Sequence, residues 1–524
     1  MSTDERPQVV AGPVTNSDAN TAPNFETTGP PARLGVELNG INTIIESERK
    51  GKAHDLFWPW FGANVSVLGL SYGSFILGFG ISFWQATLVG IIGIVVSFFF
   101  CGVIAIAGKR GSAPTMILSR AMFGVRGNRV PAVLSWILTV GWETALTALA
   151  VLATSTVFDR LGWSGGVATK IISLIIVAAL IVGAGVIGFD LIMRLQIWIT
   201  VITGILTAVY IVLALPHIDL AKVATLPTGS TEALIGALVL VMTGFGLGWV
   251  NAAADYSRYL PRKTTNSSVI GWTTFGAALA PVILVIFGLL LAGSSTKLSG
   301  AIGADPIGAL TSILPIWFLI PFAIVAILGL VGGAVLDIYS SGLALLSAGI
   351  RIPRPAAAGI DGFVMIIGAI YVVFFSTSFI APFEAFLVTL GVPVAAWAGI
   401  FIGDILIRRK HYAEAELYNP RGRYGNVRWL AISLILIGTA AGWGLVTNTY
   451  GVPSWLNWQG YLLGPVGLGG VKGAWAYANV GVLVALLIGL LGTLLFGRAA
   501  IRAQEALPLE MEVDASEAMT GVNS

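Results

Sequence analysis

The chain has 524 residues, 56% of them hydrophobic and only 10% charged, with a mean hydropathy of +0.87. Soluble proteins carry about 25% charged residues, so this composition excludes a water-soluble domain and describes a chain dissolved in lipid. The single cysteine, Cys101, excludes an internal disulfide and a cysteine-based metal cluster, and the formal charge of +3 is informative only through its distribution.

Residues 1–55 are polar and rich in Pro, Ser, Thr and Asn, with no apolar core of the kind a cleavable signal has. They read as a disordered cytoplasmic tail, and residues 498–524, with their acidic end, read the same way. Between them, apolar runs of about 20 residues, long enough to cross the ~30 Å hydrocarbon layer, recur twelve times. They are expected near 57–80, 83–107, 131–157, 169–189, 195–215, 233–253, 271–292, 314–346, 360–379, 383–407, 428–447 and 475–497, numbered here as spans 1 to 12. His54, His217 and His411 all fall at or outside these runs, which argues against a buried histidine-ligated metal.

Basic residues sort the loops. Arg49, Lys50 and Lys52 precede span 1, and Lys109, Arg110, Arg120, Arg126 and Arg129 follow span 2. The same side gathers Arg194, Arg258, Arg262, Lys263, Arg351, Arg354, Arg408, Arg409, Lys410, Arg421, Arg423, Arg428, Arg498 and Arg502. The opposite side has Arg160, Lys170, Lys222, Lys297 and Lys472. By the positive-inside rule both termini are expected in the cytoplasm of a cell (inner or plasma) membrane.

Two spans are interrupted. Span 1 reads FWPWFGANVSVLGLSYGSF, with Pro59, Gly62, Gly69 and Gly73 beside Asn64, Ser66 and Ser71. Span 6 lies in VMTGFGLGWVNAAADYSRYLPR (241–262), with Gly244, Gly246 and Gly248 close together. A glycine costs roughly 1 kcal/mol in a helix interior, so this spacing marks a place where the helix can open. Unwound backbone at membrane depth is tolerated only where it is buried in protein or lines a cavity. Here it would present free N–H and C=O groups beside Phe245 and Trp249, which suits a flat, hydrogen-bonding solute; the alternative is that the glycines only permit close helix packing. Five spans separate the starts of spans 1 and 6, so matched positions of two five-helix halves carry the breaks, and an odd number per half inverts the second. Broken helices at matched positions point to a transporter's midplane site.

Five stretches in order carry a family resemblance: LFWPWFGANVS (56–66), SRAMFGVRG (119–127) followed by Gly141-Trp142, AAADYSRYLP (252–261), LDIYSSGLALL (336–346), and GDILIRRKHY (403–412) followed by GRYG (422–425). With them the chain resembles the nucleobase–cation symporter family, purine/cytosine permease branch, from about residue 50 to 430. The resemblance implies an all-α integral membrane fold of twelve transmembrane helices: a LeuT-like 5+5 inverted repeat, with two C-terminal helices added. The repeats would cover 56–216 and 231–407, and the trailing pair 428–497. It also implies cation-driven uptake of a nucleobase or related planar heterocycle, with no cofactor beyond a coupling proton or sodium ion.

Carried residue by residue, the resemblance places the substrate between Trp142 of span 3 and an aromatic of span 6, with Phe245 favoured over Trp249, one turn away. Two rings would sandwich a planar base while polar groups read its edge. Ser66 falls on another substrate-contacting position. The edge-reading position after Trp142 is Leu146, whose alkyl group forms no hydrogen bond, so Glu143 or Thr144 would have to replace it, unless Glu143 faces a neighbouring helix. The sodium site of relatives maps to carbonyls of Gly62, Val65 and Leu328, but its two hydroxyl positions read Val331 and Gly332. The substrate-binding asparagine of span 8 corresponds to Asp337. An intramembrane carboxylate costs about 2.5 kcal/mol or more when charged and marks function by default. Proton coupling with Asp337 both taking the proton and touching substrate is therefore the expectation, against sodium coupling or a structural role.

The remaining acids are less pointed. Asp255 and Arg258 are expected to set the end of span 6, Asp404 to pair with Arg408, and Glu384 to suit a helix N-terminus, while Phe386 could gate the site. An intramembrane enzyme is disfavoured by the absence of HExxH and of a histidine at depth, and a channel by the absence of a filter of repeated carbonyls or a charged ring. The basic loops follow from topology rather than nucleic-acid binding, and no obligate protein partner is evident.

Overall fold

The computed structural model describes residues 40–376, 379–448 and 457–507. Among them there is no strand, and the helices follow the apolar runs. Span 1 is two helices, Phe57–Asn64 and Leu68–Leu77. Spans 2 to 5 are Phe83–Gly111, Arg129–Arg160, Val167–Ile187 and Phe189–Ala214. Span 6 is Thr231–Gly244 with a short continuation, Gly246–Trp249. Spans 7 to 10 are Asn266–Ser294, Leu319–Ser347, Arg354–Phe375 and Ile380–Ile407. Span 11 is Trp429–Trp443 and span 12 is Gly481–Gly492, which runs on through Thr493–Gly497 into Arg498–Ala506.

The multi-pass character shows in what faces outward. Ile171, Ile172, Ile175 and Ile176 of span 4, Trp198, Ile205 and Val212 of span 5, and Phe363, Ile367 and Tyr371 of span 9 are exposed apolar side chains on the bundle exterior. Lipid tails are as apolar as these groups, so their exposure costs nothing in a bilayer. The polar side chains Glu143, Gln196, Asp337 and Asp361 are instead fully or almost fully buried. Spans 3 and 8, the third member of each five-helix half, pack along one another, as do span 7 with spans 1 and 2, span 5 with span 8, and span 10 with span 12.

The two interruptions differ in kind. Span 1 bends by 65° across residues 65–67. Asn64 Nδ2 donates to Trp60 O (2.8 Å), Val65 leaves the helix at φ −81°, ψ 62°, and Ser66 Oγ accepts from Leu68 N (3.3 Å) to start the second half. Side chains thus satisfy groups that a helix end leaves unpaired. Span 6 opens at a single residue, Phe245 (φ −119°, ψ −107°), and keeps its direction. The packing role of its glycines also holds: a Cβ on Gly244 would lie 2.1 Å from Tyr72 Oη, and one on Gly246 would lie 2.1 Å from the backbone of Ser97.

Parts of both expected tails pack on the bundle. Within the expected N-terminal tail, Ile44 is buried and its N–H donates to Ser112 O (2.7 Å), while Arg49 Nη1 donates to Leu260 O (2.8 Å) and Lys109 O (3.3 Å). An apolar side chain and a guanidinium that ties two helix ends fold residues 40–55 onto the bundle. At the other end Gln504 Nε2 donates to Ala121 O (3.0 Å) and Glu505 Oε1 accepts from the N–H groups of Arg409 and Lys410 (both 2.6 Å), docking residues 498–506. The rest of each expected tail, 1–39 and 508–524, lies outside the described residues. Span 11 ends four residues early, where the carbonyls of Trp443 and Gly444 accept from the N–H groups of Gly460 (2.9 Å) and Leu462 (2.8 Å).

Candidate functional site

The break in span 6 faces span 3. A Cβ on Gly248 would sit 3.0 Å from Trp142 Nε1, and that indole N–H has no hydrogen-bond partner among the described residues although the side chain is buried. The ring neighbours of Trp142 come from span 10: Phe383 at 5.3 Å and Phe386 at 6.2 Å between centroids, both edge-on. Gly141 makes room for Phe386, since a Cβ there would lie 2.2 Å from Cε2 of that ring. The structure thus brings Trp142 and the break of span 6 together, with span 10 as a third wall.

The expected aromatic partners on span 6 point elsewhere. Phe245 packs on Tyr72 of span 1 (4.5 Å) and Phe98 of span 2 (6.4 Å), and Trp249 meets Trp60 of span 1 edge-on at 5.7 Å. Trp60 also lies edge-on to Tyr256 (5.5 Å), whose hydroxyl donates to Leu336 O (2.9 Å), the residue before Asp337. Asp337 is buried, and its Oδ2 has no partner among the described residues. Leu146 is pushed against span 8, where a Cβ on Gly333 would lie 2.9 Å from its Cδ1 and 3.4 Å from Ala63 O. Thr144 faces span 9 at Gly368, and Glu143 lies among Asp361, Ser341 and Asp337. Glu143 therefore faces neighbouring helices rather than the side of Trp142.

At the other break, Val65 O lies 3.0 Å from where a Cβ of Gly329 would be, and Ser66 Cβ lies 3.5 Å from the same point. Gly62 O lies 2.9 Å from a Cβ on Gly332. Gly62, Val65 and Ser66 of span 1 are therefore brought against the part of span 8 that carries Leu328, Val331 and Gly332.

One end of the bundle is closed by polar contacts. Asp255 accepts from Thr115 N and Oγ1 (both 2.7 Å), and Arg258 donates to Tyr339 Oη (2.7 Å) and Gly40 O (3.0 Å). Asp404 and Arg408 form a bidentate pair at 2.8 Å in both bonds, as expected.

Residues 43–467 match the family described as permease for cytosine/purines, uracil, thiamine, allantoin. The chain belongs to this family. It is 26% identical over 409 residues to the candidate purine-cytosine permease YxlA of Bacillus subtilis (strain 168), covering 76% of this chain and 85% of that one. It is 24% identical over 269 residues to the purine-cytosine permease FCY2 of Saccharomyces cerevisiae, about half of each chain (49% and 48%). A solved structure of Mhp1, a nucleobase-cation-symport-1 family transporter in a closed conformation with bromovinylhydantoin bound, superposes with a TM-score of 0.66. That match covers 90% of this chain and 100% of that one at 18% identity, and it establishes the LeuT-like fold. The permease is therefore a transporter rather than an enzyme, in the purine/cytosine branch of the nucleobase–cation symporters.

Tested against the permease's own residues, the sodium site fits poorly. The span 1 carbonyls face span 8, but Val331 and Gly332 offer no side-chain oxygen, and a hard cation that sheds water needs oxygens in their place. Sequence reasoning did not single out Trp60, Phe383, Tyr256 or Gln196. A signal for Phe383 was available: Phe383 and Phe386 stand three apart on one helix face, opposite the adjacent Gly141 and Trp142. Gln196 carried none, because a lone amide in an apolar run does not name its partner.

Proposed function

We propose that the permease imports a small planar heterocycle by cation symport and alternating access, the coupling ion being a proton taken up by Asp337. The substrate class is a nucleobase or a related ring such as allantoin or a hydantoin. The observation that carries this reading is the Trp142 N–H beside Gly248, without a hydrogen-bond partner among the described residues, with Phe383 and Phe386 against the same indole. A flat ring stacked on Trp142 gains about 1–3 kcal/mol. The names of the relatives favour the class: purine-cytosine permeases, the vitamin B6 transporter TPN1 of Saccharomyces cerevisiae, and a transporter with a hydantoin bound. Leu146, packed into span 8, weighs against cytosine itself.

Asp337 supports the proton. It lies next to Leu336, whose carbonyl accepts from Tyr256, a residue after span 6 whose ring also meets Trp60 of the first half, so its charge state bears on a contact that reaches both halves. One proton per substrate across one pH unit supplies about 1.4 kcal/mol, enough for about tenfold accumulation. In this reading the two repeats, 56–216 and 231–407, move against each other, and the closed end at Asp255 and Arg258 opens on the cytoplasmic side. Both termini lie there, in line with the loop charges. The second reading is sodium coupling, or a non-nucleobase substrate such as a vitamin or amino acid on the same scaffold.

Uptake into proteoliposomes tests the proposal with cytosine, uracil, adenine, hypoxanthine, allantoin and a hydantoin, under an inward proton or an inward sodium gradient. Concentrative, proton-driven uptake of one heterocycle is expected. Sodium-driven uptake would overturn the coupling, and failure of the whole panel would overturn the substrate class.

A further inference from the structure

Span 5 places one polar side chain between the two helices that hold the cation in sodium-coupled relatives. Gln196 is fully buried, and its Nε2 donates to Gly332 O at 2.7 Å. Its Oε1 has no hydrogen-bond partner among the described residues. That oxygen stands 2.2 Å from the point a Cβ of Gly62 would occupy, and Thr200 Oγ1, one turn along span 5, stands 3.0 Å from the same point. Across the cleft, a Cβ on Gly332 would lie 2.9 Å from Gly62 O and 3.6 Å from Gln196 Oε1. Gly62 therefore lacks a side chain where the amide needs room, Gly332 lacks one where the Gly62 carbonyl approaches, and the amide stands beside the position from which a span 8 hydroxyl is missing.

A cation between spans 1 and 8 does two things: it adds charge, and it ties the end of the broken helix to its neighbour. A carboxamide can do the second without the first. Its donor end holds a span 8 carbonyl, while its body packs on the backbone of span 1 at Gly62. Sodium in the same space would need oxygens around it, and the N–H end of the amide offers the wrong sign of charge. We infer that Gln196 is a built-in replacement for the coupling cation, a positioning residue that fills the cleft between spans 1 and 8 so that sodium does not bind there. The inference rests on the reading of the chain as a cation symporter and leaves the drive to a proton.

The test is the thermal stability of the purified full-length protein in detergent, with sodium chloride replaced by choline chloride at constant ionic strength. The wild type is expected to melt at the same temperature in both salts. Gln196→Ser combined with Val331→Ser removes the amide and supplies two hydroxyls, and is expected to gain a sodium-dependent rise of roughly 2 °C or more. Val331→Ser alone keeps the amide and is expected to gain none. Sodium stabilisation of the wild type that disappears in Gln196→Ala would make Oε1 a ligand and overturn the inference. Absence of any sodium response in the double variant would also overturn it, since the amide would not be what excludes the ion. If the double variant does not fold, binding of radioactive sodium to the wild type decides the matter: none is expected, and saturable binding refutes. No reading here needs the substrate, so a failed uptake panel and a failed sodium test are separate results.

Discussion

Gly141→Ala puts a methyl group between Trp142 and the span 10 wall. The added carbon would lie 2.2 Å from Cε2, 2.5 Å from Cζ and 3.1 Å from Cδ2 of Phe386, where ordinary contact begins at 3.4 Å. The ring edge must retreat by more than an ångström. Overpacking of this kind costs about 1–3 kcal/mol, while alanine in place of glycine inside a helix returns up to roughly 1 kcal/mol. The net loss is about 0–3 kcal/mol, a range that reaches zero and so does not decide the matter from one variant. A double-mutant cycle with Phe386→Ala separates the two terms. With Phe386 present, Gly141→Ala is expected to lower the melting temperature. With Phe386→Ala already made, the same change is expected to raise it, because only the helix propensity remains. The coupling is expected to be at least about 1 kcal/mol. In uptake, Gly141→Ala is expected to weaken apparent affinity for the transported heterocycle about tenfold, and the double variant to recover part of it. Additive effects on stability, or wild-type uptake by Gly141→Ala, would refute the placement of Phe386 against Trp142.

Asp337→Asn is expected to abolish accumulation driven by a pH gradient while leaving substrate exchange measurable; unchanged rate and pH dependence would rule out Asp337 as the proton carrier. Asp404→Asn or Arg408→Met breaks a pair whose side chains are 0% and 1% exposed, and each is expected to cost about 3–5 kcal/mol. Asp404→Leu with Arg408→Met should fall well short of the sum by thermal unfolding, and full additivity would mean that the two charges act separately. His411, in the loop after span 10, has its pKa lowered from the ordinary 6.5, first by burial and then by the charge of Arg262. Its neutral form therefore contributes stability that is complete above pH 6.5 and is lost as the pH falls through the lower folded value. Melting temperature is expected to drop over that acid window less in His411→Gln than in the wild type; equal slopes would remove His411 from the account.

What could be read from the chain followed from periodicity and composition. Twelve apolar runs, their loop charges and the two interrupted spans lead to a multi-pass helical chain of two five-helix halves without a structure, because bilayer thickness and backbone satisfaction permit few alternatives; the LeuT-like fold itself was implied by the family resemblance. The pairing of Asp404 with Arg408 was readable for a similar reason, four residues being one helical turn. Helix rotation was not readable. Phe245 sits in the right stretch of span 6 yet packs on Tyr72, since the backbone at Phe245 leaves helical geometry and turns its side chain toward spans 1 and 2. Gln196 was invisible because its meaning lies in Gly62 and Gly332, each more than a hundred residues away in the chain. The docking of residues 40–55 was hidden by polar composition: Arg49 reads as solvated until the helix-end carbonyls of Lys109 and Leu260 are seen to face it.

The two breaks divide the work of the site in a way that sequence symmetry does not suggest. Span 6 opens at one residue, keeps its direction and turns Gly248 to an indole, an arrangement that in the proposed reading would serve a flat solute more than an ion. Span 1 bends by 65° and loses three residues of helix, leaving its last carbonyls without intrahelical donors. Those carbonyls face the part of span 8 where side-chain oxygens are absent and Gln196 enters from span 5. Five residues after Gly332 on the same helix, Asp337 adjoins the carbonyl that binds Tyr256. Span 8 therefore touches the broken helix of the first repeat through Gly332 and, through Leu336, the Tyr256 that follows span 6. In the proposed proton-coupled reading, a change in the charge of Asp337 would act on a helix that reaches both the span 1 break and the segment after span 6.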